Sequence, residues 1–332
     1  MKILKTRAYA RAGLLGNPSD GFFGKTISAI VKNFSARVVL YEWPELEILL
    51  SQEDRCEFDS VEDLVEDVRL RGLYGGLRLV KAAVKKFAEH CEARGIRLPK
   101  KNFSLRYETD IPRQVGLAGS SAIITAVLRA LMGFYEIEIP REILPSLVLS
   151  VETEEIGIQA GLQDRVCQVY EGVVYMDFDR ELLEARGHGR YESLDPACLP
   201  PLYVAYREDL SKISGVYHSN LRARWEARDP KVVEGMRRLA EIAEEGRSCI
   251  LRRDHARLGE LMDRNFDARA SMMQLDPRSA QMVYVAREAG VPANYAGSGG
   301  AIVGISPDEA TFQRLGEVFA KIGCKVIRPI VA

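Results

Sequence analysis

The amino-acid sequence predicts a protein of mixed α-helices and β-strands, because segments with strand periodicity and segments with helix periodicity are interspersed along its 332 residues. Residues 103–109 alternate apolar and polar side chains, as a strand with one buried face does. From residue 120 to residue 135, apolar side chains recur at helical spacing and no proline interrupts them. Gly116 and Gly119 lie between these two segments and allow a tight turn. This strand, turn and helix form the best-defined part of the prediction.

The same periodicities, with glycine and proline as breakers, predict the remaining elements. The predicted strands are residues 3–10, 25–31, 35–43, 46–50, 172–178, 202–206 and 325–331. The predicted helices are residues 60–94 with a break at 71–76, then 140–156, 215–224, 230–247, 255–273, 278–289 and 308–322. Two further strand-like pieces flank the glycine-rich residues 297–300. The charged segment 180–201 ends in prolines and predicts a boundary between a domain of residues 1–190 and a domain of residues 191–332.

The composition is that of an ordinary globular protein, with 47% hydrophobic and 28% charged residues. A formal net charge of -1 provides no basic field for nucleic acid or for an anionic membrane surface. No apolar run reaches membrane-spanning length, and the N-terminus is too polar for a signal peptide. We therefore expect neither nucleic acid nor a membrane as a partner.

The cysteines are scattered and show no Cys-x-x-Cys spacing, which argues against a cysteine metal site. They are Cys56, Cys91, Cys167, Cys198, Cys249 and Cys324. The four histidines do not cluster either. This usage predicts reduced thiols in a cytoplasmic protein.

The turn before the 120–135 helix has the features of an anion-binding loop. A helix that starts in a turn of small residues presents unpaired backbone N–H groups, and its dipole adds partial positive charge. The hydroxyls of Ser120 and Ser121 could bind a phosphate oxygen or Mg²⁺. A capped helix after a tight turn explains the same residues without any ligand. The G-x-x-x-x-G-K-[ST] and G-x-G-x-x-G patterns of two common phosphate loops are absent.

Residues 112–122 resemble the second motif of the GHMP kinases, the superfamily of galactokinase, homoserine kinase, mevalonate kinase and phosphomevalonate kinase. That motif reads roughly Pro-x-x-x-Gly-Leu-x-x-Ser-Ser-Ala, and the chain matches it in register. The resemblance implies that residues 112–121, called here the phosphate loop, bind ATP. The implied contacts are Pro112, Gly116, Leu117, Ala118, Gly119, Ser120 and Ser121.

The start of the chain resembles the first GHMP motif, roughly Arg-x-x-Leu-x-Gly-x-x-x-Asp. The matching residues are Arg11, Leu14, Gly16 and Asp20. The resemblance implies that Arg11 offsets charge on the transferring phosphoryl group and that Asp20 and Asn17 contact the sugar. Galactokinases carry a Glu-His pair where this chain has Asn17 and Pro18, which argues against galactose itself. A simple hairpin connection over residues 17–21 is the alternative without a ligand.

An acidic pair follows the phosphate loop at the spacing found in galactokinases. Glu152 precedes Asp164 by twelve positions, and Gly161 stands where the galactokinase turn has its glycine. The resemblance implies that Glu152 and Ser121 bind Mg²⁺ and that Asp164 is the general base. A phosphoryl transfer needs a hard oxygen ligand for the metal ion and a carboxylate near the attacking hydroxyl. The alternative for carboxylates on a helix is a solvated face.

A glycine-rich segment near the C-terminus has the place and composition of the third GHMP motif. Residues 297–300, called here the glycine loop, separate two strand-like pieces, and a plain glycine hairpin has the same pattern. The resemblance implies that Gly297, Ser298 and Gly299 lie at the substrate and hold the phosphate loop in shape. Residues 75–76 add a glycine pair that belongs either beside the nucleotide base or in an ordinary helix–helix loop.

Longer blocks of the chain resemble one branch, the plant-type glucuronokinases, which make glucuronic acid 1-phosphate from glucuronate. The blocks are residues 102–103, 111–123, 160–166, 168–170, 175–178, 243–247, 265–267 and 297–300. The implied substrates are a uronic acid and ATP with Mg²⁺. Arg113 and Arg165, and in third place Lys25, then become candidates to bind the carboxylate of the sugar, because arginine suits bidentate recognition. Each arginine has two alternatives, a surface ion pair and a phosphate contact.

The resemblance also implies a fold and a set of competing functions. The implied GHMP fold is of the α+β class and joins an N-terminal domain like domain 2 of ribosomal protein S5 to a ferredoxin-like C-terminal domain. Another sugar kinase, of the galactokinase or heptose kinase type, is the alternative within the family. The spacing of Glu152 and Asp164 argues against a further alternative, an isoprenoid-pathway kinase or decarboxylase. A non-catalytic sugar sensor is the alternative outside enzymes, and the presence of that acidic pair argues against it. The exact sugar, the anomer and the oligomeric state stay open.

Overall fold

The computed structural model describes residues 2–49, 75–207 and 221–331, and the chain folds as two compact units. The first unit consists of Met1–Ala10, Phe34–Ile111 and Ala118–Val169. The second consists of Arg11–Asn33, Pro112–Leu117 and Tyr170–Ala332. The helix segments predicted over 60–74 and 215–220 lie outside the described residues. The domain boundary expected at residue 190 stays a prediction.

The described residues form both helices and largely antiparallel sheets, which confirms the α+β prediction. The strands are β1 (Ile3–Leu15), β2 (Lys25–Trp43), β3 (Glu47–Leu49), β4 (Asn102–Thr109), β5 (Val173–Asp177), β6 (Arg190–Leu194), β7 (Leu202–Tyr206), β8 (Ala293–Tyr295), β9 (Ala301–Ile305) and β10 (Lys325–Ile327). The helices are α1 (Gly76–Ala93), α2 (Gly119–Tyr135), α3 (Leu144–Ser150), α4 (Gln163–Tyr170), α5 (Arg180–Arg186), α6 (Leu221–Glu226), α7 (Pro230–Arg252), α8 (His255–Met272), α9 (Pro277–Glu288) and α10 (Glu309–Ala320). Short 3₁₀ turns lie at Ser19–Phe22 and Pro196–Cys198, and a π-helical turn lies at Val151–Glu155.

In the first unit, the C-terminal half of β2 and strand β4 form an antiparallel pair. Their register runs from Ala36 opposite Thr109 to Trp43 opposite Asn102, and β3 joins β4 in parallel. Helix α1 buries one face, which consists of Gly76, Leu79, Val80, Ala83, Phe87 and Cys91. Helix α2 is buried along most of its length and packs against α1. This packing fixes the N-terminal end of α2, which the phosphate loop enters.

In the second unit, the N-terminal half of β2 pairs with β5, and β5 pairs with β6, both antiparallel. A separate antiparallel sheet has the strand order β10-β7-β9-β8. This sheet shares one apolar core with helices α8, α9 and α10, and its large members are Tyr203, Phe266, Tyr295 and Phe319. The hairpin of β8 and β9 carries the glycine loop at its tip.

Two strands extend beyond their predicted bounds. β1 continues to Leu15 through residues 11–15, which the sequence predicts as part of a turn, and residues 10–15 are all buried. Burial against neighbouring elements here overrides the local turn signal. β2 runs unbroken over residues that the sequence divides into two strands, because its two halves pair with different partners, β5 and β4. β10, in contrast, ends at Ile327 instead of residue 331.

Two segments differ more strongly from the prediction. The helix predicted over 140–156 begins only at Leu144, with Pro145 in its first turn, and changes after Ser150 into the π-helical turn. The segment 180–201, for which the sequence predicts no regular element, contains α5 and β6. Asp179 caps α5 by accepting a hydrogen bond from the backbone N–H of Leu182.

Within the described ranges, no helix is long and apolar enough to cross a membrane. The cysteines in those ranges are free thiols, namely Cys91, Cys167, Cys198, Cys249 and Cys324. They therefore provide no covalent cross-link to either unit.

Candidate active site

The phosphate loop bends through three residues with a left-handed backbone, Gln114, Gly116 and Ala118. Their φ angles are 56°, 74° and 62°. Ala118 is the N-cap residue of α2, and no side chain caps that helix. The N–H groups of the first turn of α2, with the helix dipole, therefore offer the electropositive end that an anion needs.

Gly116 and Gly297 are glycines because two backbone segments touch at these positions. A Cβ atom at Gly116 would lie 2.8 Å from the carbonyl oxygen of Gly299. A Cβ atom at Gly297 would lie 2.1 Å from the carbonyl oxygen of Gly116. A side chain at either position would push the two segments apart. The second and third sequence motifs therefore meet in the second unit, and their role toward ATP stays a prediction.

Arg11 lies where the phosphate loop meets the β8–β9 hairpin, and it is 5% exposed. Its Nη1 donates to the carbonyl oxygens of Gly116, at 3.0 Å, and of Ala296, at 2.5 Å. Its backbone N–H donates to the carbonyl oxygen of Leu117 at 3.2 Å. Arg11 therefore ties the two segments together and brings a guanidinium to their junction.

A chain of buried amides fixes the first motif against helix α8 and strand β8. The backbone N–H of Gly16 donates to Oδ1 of Asn265 at 2.7 Å. Nδ2 of Asn265 donates to Oδ1 of Asn294 at 3.1 Å, and Nδ2 of Asn294 donates to the carbonyl oxygen of Leu14 at 3.1 Å. The sequence patterns assign no role to Asn294. An asparagine in a short apolar strand nevertheless indicates a buried side chain that forms hydrogen bonds.

The predicted sugar contacts Asn17 and Asp20 lie in the connection that follows β1. Asn17 is buried, and Asp20 is half-buried in the 3₁₀ turn Ser19–Phe22. Helix α6 holds this turn, because Nη2 of Arg222 donates to the carbonyl oxygen of Gly21 at 2.8 Å. A sugar contact at Asn17 or Asp20 stays a prediction.

Glu152 is the centre of a polar group in the first unit and has no exposed surface. Its Oε1 accepts a hydrogen bond from Oγ of Ser120 at 2.7 Å. Its Oε2 accepts one from Nε of Arg165 at 2.7 Å, and Nη2 of Arg165 donates to the same oxygen. Nη1 of Arg165 donates to the carbonyl oxygen of Gly161 at 2.9 Å and lies 3.3 Å from Oδ2 of Asp164. One arginine thus links the two carboxylates of the predicted acidic pair, and the group reaches the phosphate loop through Ser120.

The π-helical turn Val151–Glu155 separates the buried carboxylate from its solvated neighbours. Val151 and Glu152 have no exposed surface. The side chain of Glu154 is 61% exposed and pairs with Lys86 of α1 at 2.6 Å. A π-turn changes the angular spacing of side chains, and such turns recur at functional sites.

The two serines of the phosphate loop have different partners. Oγ of Ser121 donates to the carbonyl oxygen of Ala118 at 3.3 Å, so it is Ser120 that contacts Glu152. Nε2 of Gln168, on α4, donates to the same carbonyl oxygen at 2.8 Å and so secures the start of α2. Sequence reasoning gave Gln168 no role in the site. The assignment of Ser121 to the metal ion stays a prediction.

The three basic candidates for a sugar carboxylate have different surroundings. Arg113 is exposed on the phosphate loop. Nζ of Lys25 lies 2.5 Å from Oε2 of Glu244, within an ion pair of the second unit. Arg165 is 5% exposed and directs its guanidinium to Glu152. Lys25 and Arg165 therefore already serve carboxylates of the protein itself.

The residues around Glu152 fit a magnesium ion. In the described part of the chain, no group of three or more His, Cys, Asp or Glu residues gathers as a metal cage. Mg²⁺ in nucleotide-dependent enzymes is usually held by one or two carboxylates, waters and substrate phosphates. One buried carboxylate that contacts the hydroxyl of Ser120, at an anion-binding helix end, matches that pattern.

Family models match both halves of the chain. The model described as GHMP kinases N terminal domain matches residues 78–172, and the model described as GHMP kinases C terminal matches residues 247–323. The chain belongs to the GHMP kinases. This GHMP kinase carries the phosphate loop and the acidic pair in the region of the first model, and the glycine loop in the region of the second. The family resemblance stated from the motifs is thereby confirmed.

Relatives and solved structures extend this comparison. "Probable glucuronokinase 2" of Arabidopsis thaliana is 42% identical to this GHMP kinase over 99% of the chain and 91% of the relative. "Glucuronokinase 1" of the same plant is 44% identical over 92% of the chain and 85% of the relative. The structure of Lactococcus lactis galactokinase complexed with galactose superposes with a TM-score of 0.80 at 15% identity, covering 99% of this chain and 94% of that one. The predicted GHMP kinase fold is therefore confirmed.

Proposed function

We propose that this GHMP kinase transfers the γ-phosphoryl group of ATP to the anomeric hydroxyl of D-glucuronate and so produces glucuronic acid 1-phosphate. Identity of 42% and 44% to two glucuronokinases over most of the chain supports this substrate. The galactokinase, at 15% identity, supports the fold alone. A cytoplasmic location belongs to the same proposal and rests on the scattered cysteines.

The observation that carries the kinase chemistry is the 2.7 Å hydrogen bond from Oγ of Ser120 to Oε1 of Glu152. It joins the N-terminal end of α2, which suits phosphates, to a completely buried carboxylate. Phosphoryl transfer depends on positioning and on stabilisation of charge, and it needs a carboxylate for the metal ion beside the phosphates. The first unit offers this pair of features within one hydrogen-bonded group.

Glu152 and the hydroxyl of Ser120 or Ser121 would hold Mg²⁺ in this arrangement. When bound, Mg²⁺ would neutralise charge on the phosphate oxygens of ATP. Arg165 fixes the orientation of the Glu152 carboxylate through two N–H groups on one oxygen. The phosphate loop supplies backbone N–H groups at the start of α2 for the same phosphates.

Asp164 is the proposed acceptor of the proton from the anomeric hydroxyl. Its side chain is 19% exposed, so a ligand at the surface of the first unit can reach it. The sugar oxygen forms the new bond to the γ-phosphorus while the bond from that phosphorus to the departing ADP oxygen breaks, and Asp164 takes the hydroxyl proton. Arg11, in the second unit, is proposed to offset charge on the transferred phosphoryl group.

The test is an ATP-consumption assay with glucuronate, galacturonate, galactose, glucose and mevalonate, followed by identification of the product by ³¹P and ¹H NMR. We expect the highest kcat/KM with glucuronate and a phosphate on its anomeric carbon. A preference for a neutral sugar would refute the glucuronate assignment in favour of a galactokinase-like or heptose kinase. Sugar binding by calorimetry without turnover of any sugar would instead favour the sensor.

A further inference from the structure

Arg269, on helix α8, is a buried cation below the glycine loop. It is 1% exposed, and its guanidinium carbon lies 5.1 Å from the centre of the Tyr295 ring. Nη1 donates to the carbonyl oxygen of Gly297 at 2.8 Å, and Nη2 makes a longer contact of 3.4 Å with that of Ser298. Burial lowers the pKa of Arg269 to about 10, so the side chain is still protonated at neutral pH.

Among the described residues, Arg269 has no carboxylate at ion-pair distance, although the more distant charge of Asp20 acts on it and raises its pKa. Across residues 2–49, 75–207 and 221–331, no carboxylate forms an ion pair with Arg269, and its Nε has no hydrogen-bond acceptor. Arg287 on the neighbouring helix α9 shows the usual arrangement, with Asp263 at 3.0 Å and Asp267 at 2.9 Å. A buried charge without a direct ionic partner is expensive, and two carbonyl dipoles with the more distant Asp20 carboxylate offset only part of that cost. An anion from outside the chain would offset the remainder.

The hydrogen bonds of Arg269 also set the direction of the peptide groups in the glycine loop. In a trans peptide, the C=O and the N–H point in opposite directions. Because the carbonyls of Gly297 and Ser298 point toward Arg269, the N–H groups of Ser298 and Gly299 point away from it. Among the described residues, neither N–H has a protein acceptor, and Ser298 is exposed. Two successive N–H groups without a protein acceptor, close to a positive charge, are suited to binding an anion.

The glycine loop lies directly beside the second sequence motif. A Cβ atom at Gly116 would lie 3.0 Å from the backbone nitrogen of Ser298. Arg11, which donates to the Gly116 carbonyl oxygen, would lie 3.1 Å from a Cβ atom at Gly297. The free N–H groups, the buried charge of Arg269 and the guanidinium of Arg11 therefore belong to one electropositive part of the second unit.

We propose that Arg269 is a positioning residue that makes the glycine loop an anion-binding loop, whose ligand is an oxyanion of a substrate. The two substrates of the reaction offer two such groups, the phosphates of ATP and the carboxylate of the uronic acid. The identity of these substrates rests on the proposed function. Arg269 itself acts through the loop, because it is too deeply buried to contact either group.

The test compares Arg269→Gln, which keeps an N–H donor but removes the charge, with Arg269→Lys, which keeps the charge. Binding of the non-hydrolysable ATP analogue AMPPNP and of glucuronate is measured separately by isothermal titration calorimetry. We expect Arg269→Gln to lower the affinity for one of the two ligands about tenfold or more, which is the scale of a lost charge-assisted contact. Arg269→Lys should lower the same affinity by less than half as much, compared as logarithms of Kd. A loss of affinity for AMPPNP identifies the phosphates as the ligand of the glycine loop, and a loss of affinity for glucuronate identifies the carboxylate.

Arg224→Gln is the matched control. Arg224 also belongs to the second unit and donates to a backbone carbonyl, that of Met272, at 2.7 Å, but it pairs with Asp229 at 2.8 Å. We expect unchanged affinity for both ligands in this control. Unchanged affinity for both ligands in Arg269→Gln would overturn the proposal. Equal losses in Arg269→Gln and Arg269→Lys would do the same, since a purely structural role depends on the shape of the arginine and not on its charge.

A second variant covers the case in which Arg269→Gln does not fold. Ser298→Pro removes one of the two free N–H groups at the surface of the loop and leaves Arg269 in place. A selective loss for AMPPNP or for glucuronate supports the proposal, and unchanged affinity for both overturns it. If the parent protein does not phosphorylate glucuronate, the proposed function fails, but AMPPNP binding to the same variants still decides whether Arg269 supports an anion site.

Discussion

Arg165→Gln should destabilise the protein, because it leaves a completely buried carboxylate without its cationic partner. In the native structure, Glu152 accepts two N–H groups from Arg165 and one hydroxyl from Ser120. Loss of one partner of a buried ion pair costs about 3–5 kcal/mol, and because the Ser120 hydrogen bond remains, the expected loss is about 3 kcal/mol. At about 2 cal/mol/K of unfolding entropy per residue, this corresponds to a Tm about 4 °C lower for 332 residues.

Urea denaturation followed by circular dichroism measures this loss directly. Arg113→Gln is the matched control, because Arg113 is exposed on the phosphate loop, and its free energy of unfolding should change by about 0.5 kcal/mol or less. The double variant Glu152→Gln with Arg165→Gln should recover much of the loss, because it leaves no unpaired charge in the interior. Strict additivity of the two single variants would contradict a direct coupling between the residues.

Substrate kinetics then separate two roles for Arg165. If Arg165 positions Glu152, Arg165→Lys and Arg165→Gln should lower kcat/KM for glucuronate and for glucose by the same factor. If Arg165 reads the sugar carboxylate, the loss should fall on glucuronate alone, by about 2–3 kcal/mol in transition-state free energy. An Arg165→Gln variant as stable as the parent and selectively defective with glucuronate would refute the positioning argument.

Four further variants test the remaining site assignments and one ion pair of the second unit. In Asp164→Asn, the side chain cannot accept a proton at neutral pH, so kcat should fall about 10²-fold or more. The affinity for AMPPNP, measured by calorimetry, should stay unchanged. A kcat within a few-fold of the parent would exclude Asp164 as the base. A serine whose hydroxyl binds the metal ion should, when replaced by alanine, raise the Mg²⁺ concentration needed for half-maximal activity. Ser120→Ala and Ser121→Ala are compared in this titration. A response of Ser120→Ala alone would show that Ser120, and not Ser121, is the ligand. Lys25 holds the pKa of Glu244 below its ordinary value of about 4.3, so the pair stabilises the protein above that pH and the contribution is lost as the pH falls through the lowered pKa. Glu244→Gln should therefore cost up to about 1 kcal/mol in urea denaturation at pH 7 and progressively less below about pH 4; a cost that grows toward acid pH would contradict this sign.

The sequence by itself determined most of the elements and the order of the motifs. The helix that starts at the phosphate loop was predicted over 120–135 and is Gly119–Tyr135, and the strand predicted over 202–206 is Leu202–Tyr206. Both segments have a strong period and clear breakers, and these properties belong to neighbouring residues along the chain. The bounds of β1 and β2 were wrong where burial against distant residues replaced the local signal.

Only the tertiary structure decided which side chains became partners. Ser120 meets Glu152, whereas the hydroxyl of Ser121 bonds the carbonyl oxygen of Ala118. Arg165 is buried and donates hydrogen bonds to Glu152. Arg269, to which the sequence patterns assign no role, lies buried under the glycine loop. The pairings of Glu152 with Ser120 and Arg165, and of Arg269 with the glycine loop, join residues between 13 and 32 positions apart. Their choice depends on packing and on the cost of burying charge, and neither quantity can be read from periodicity, because both arise only when distant segments come together.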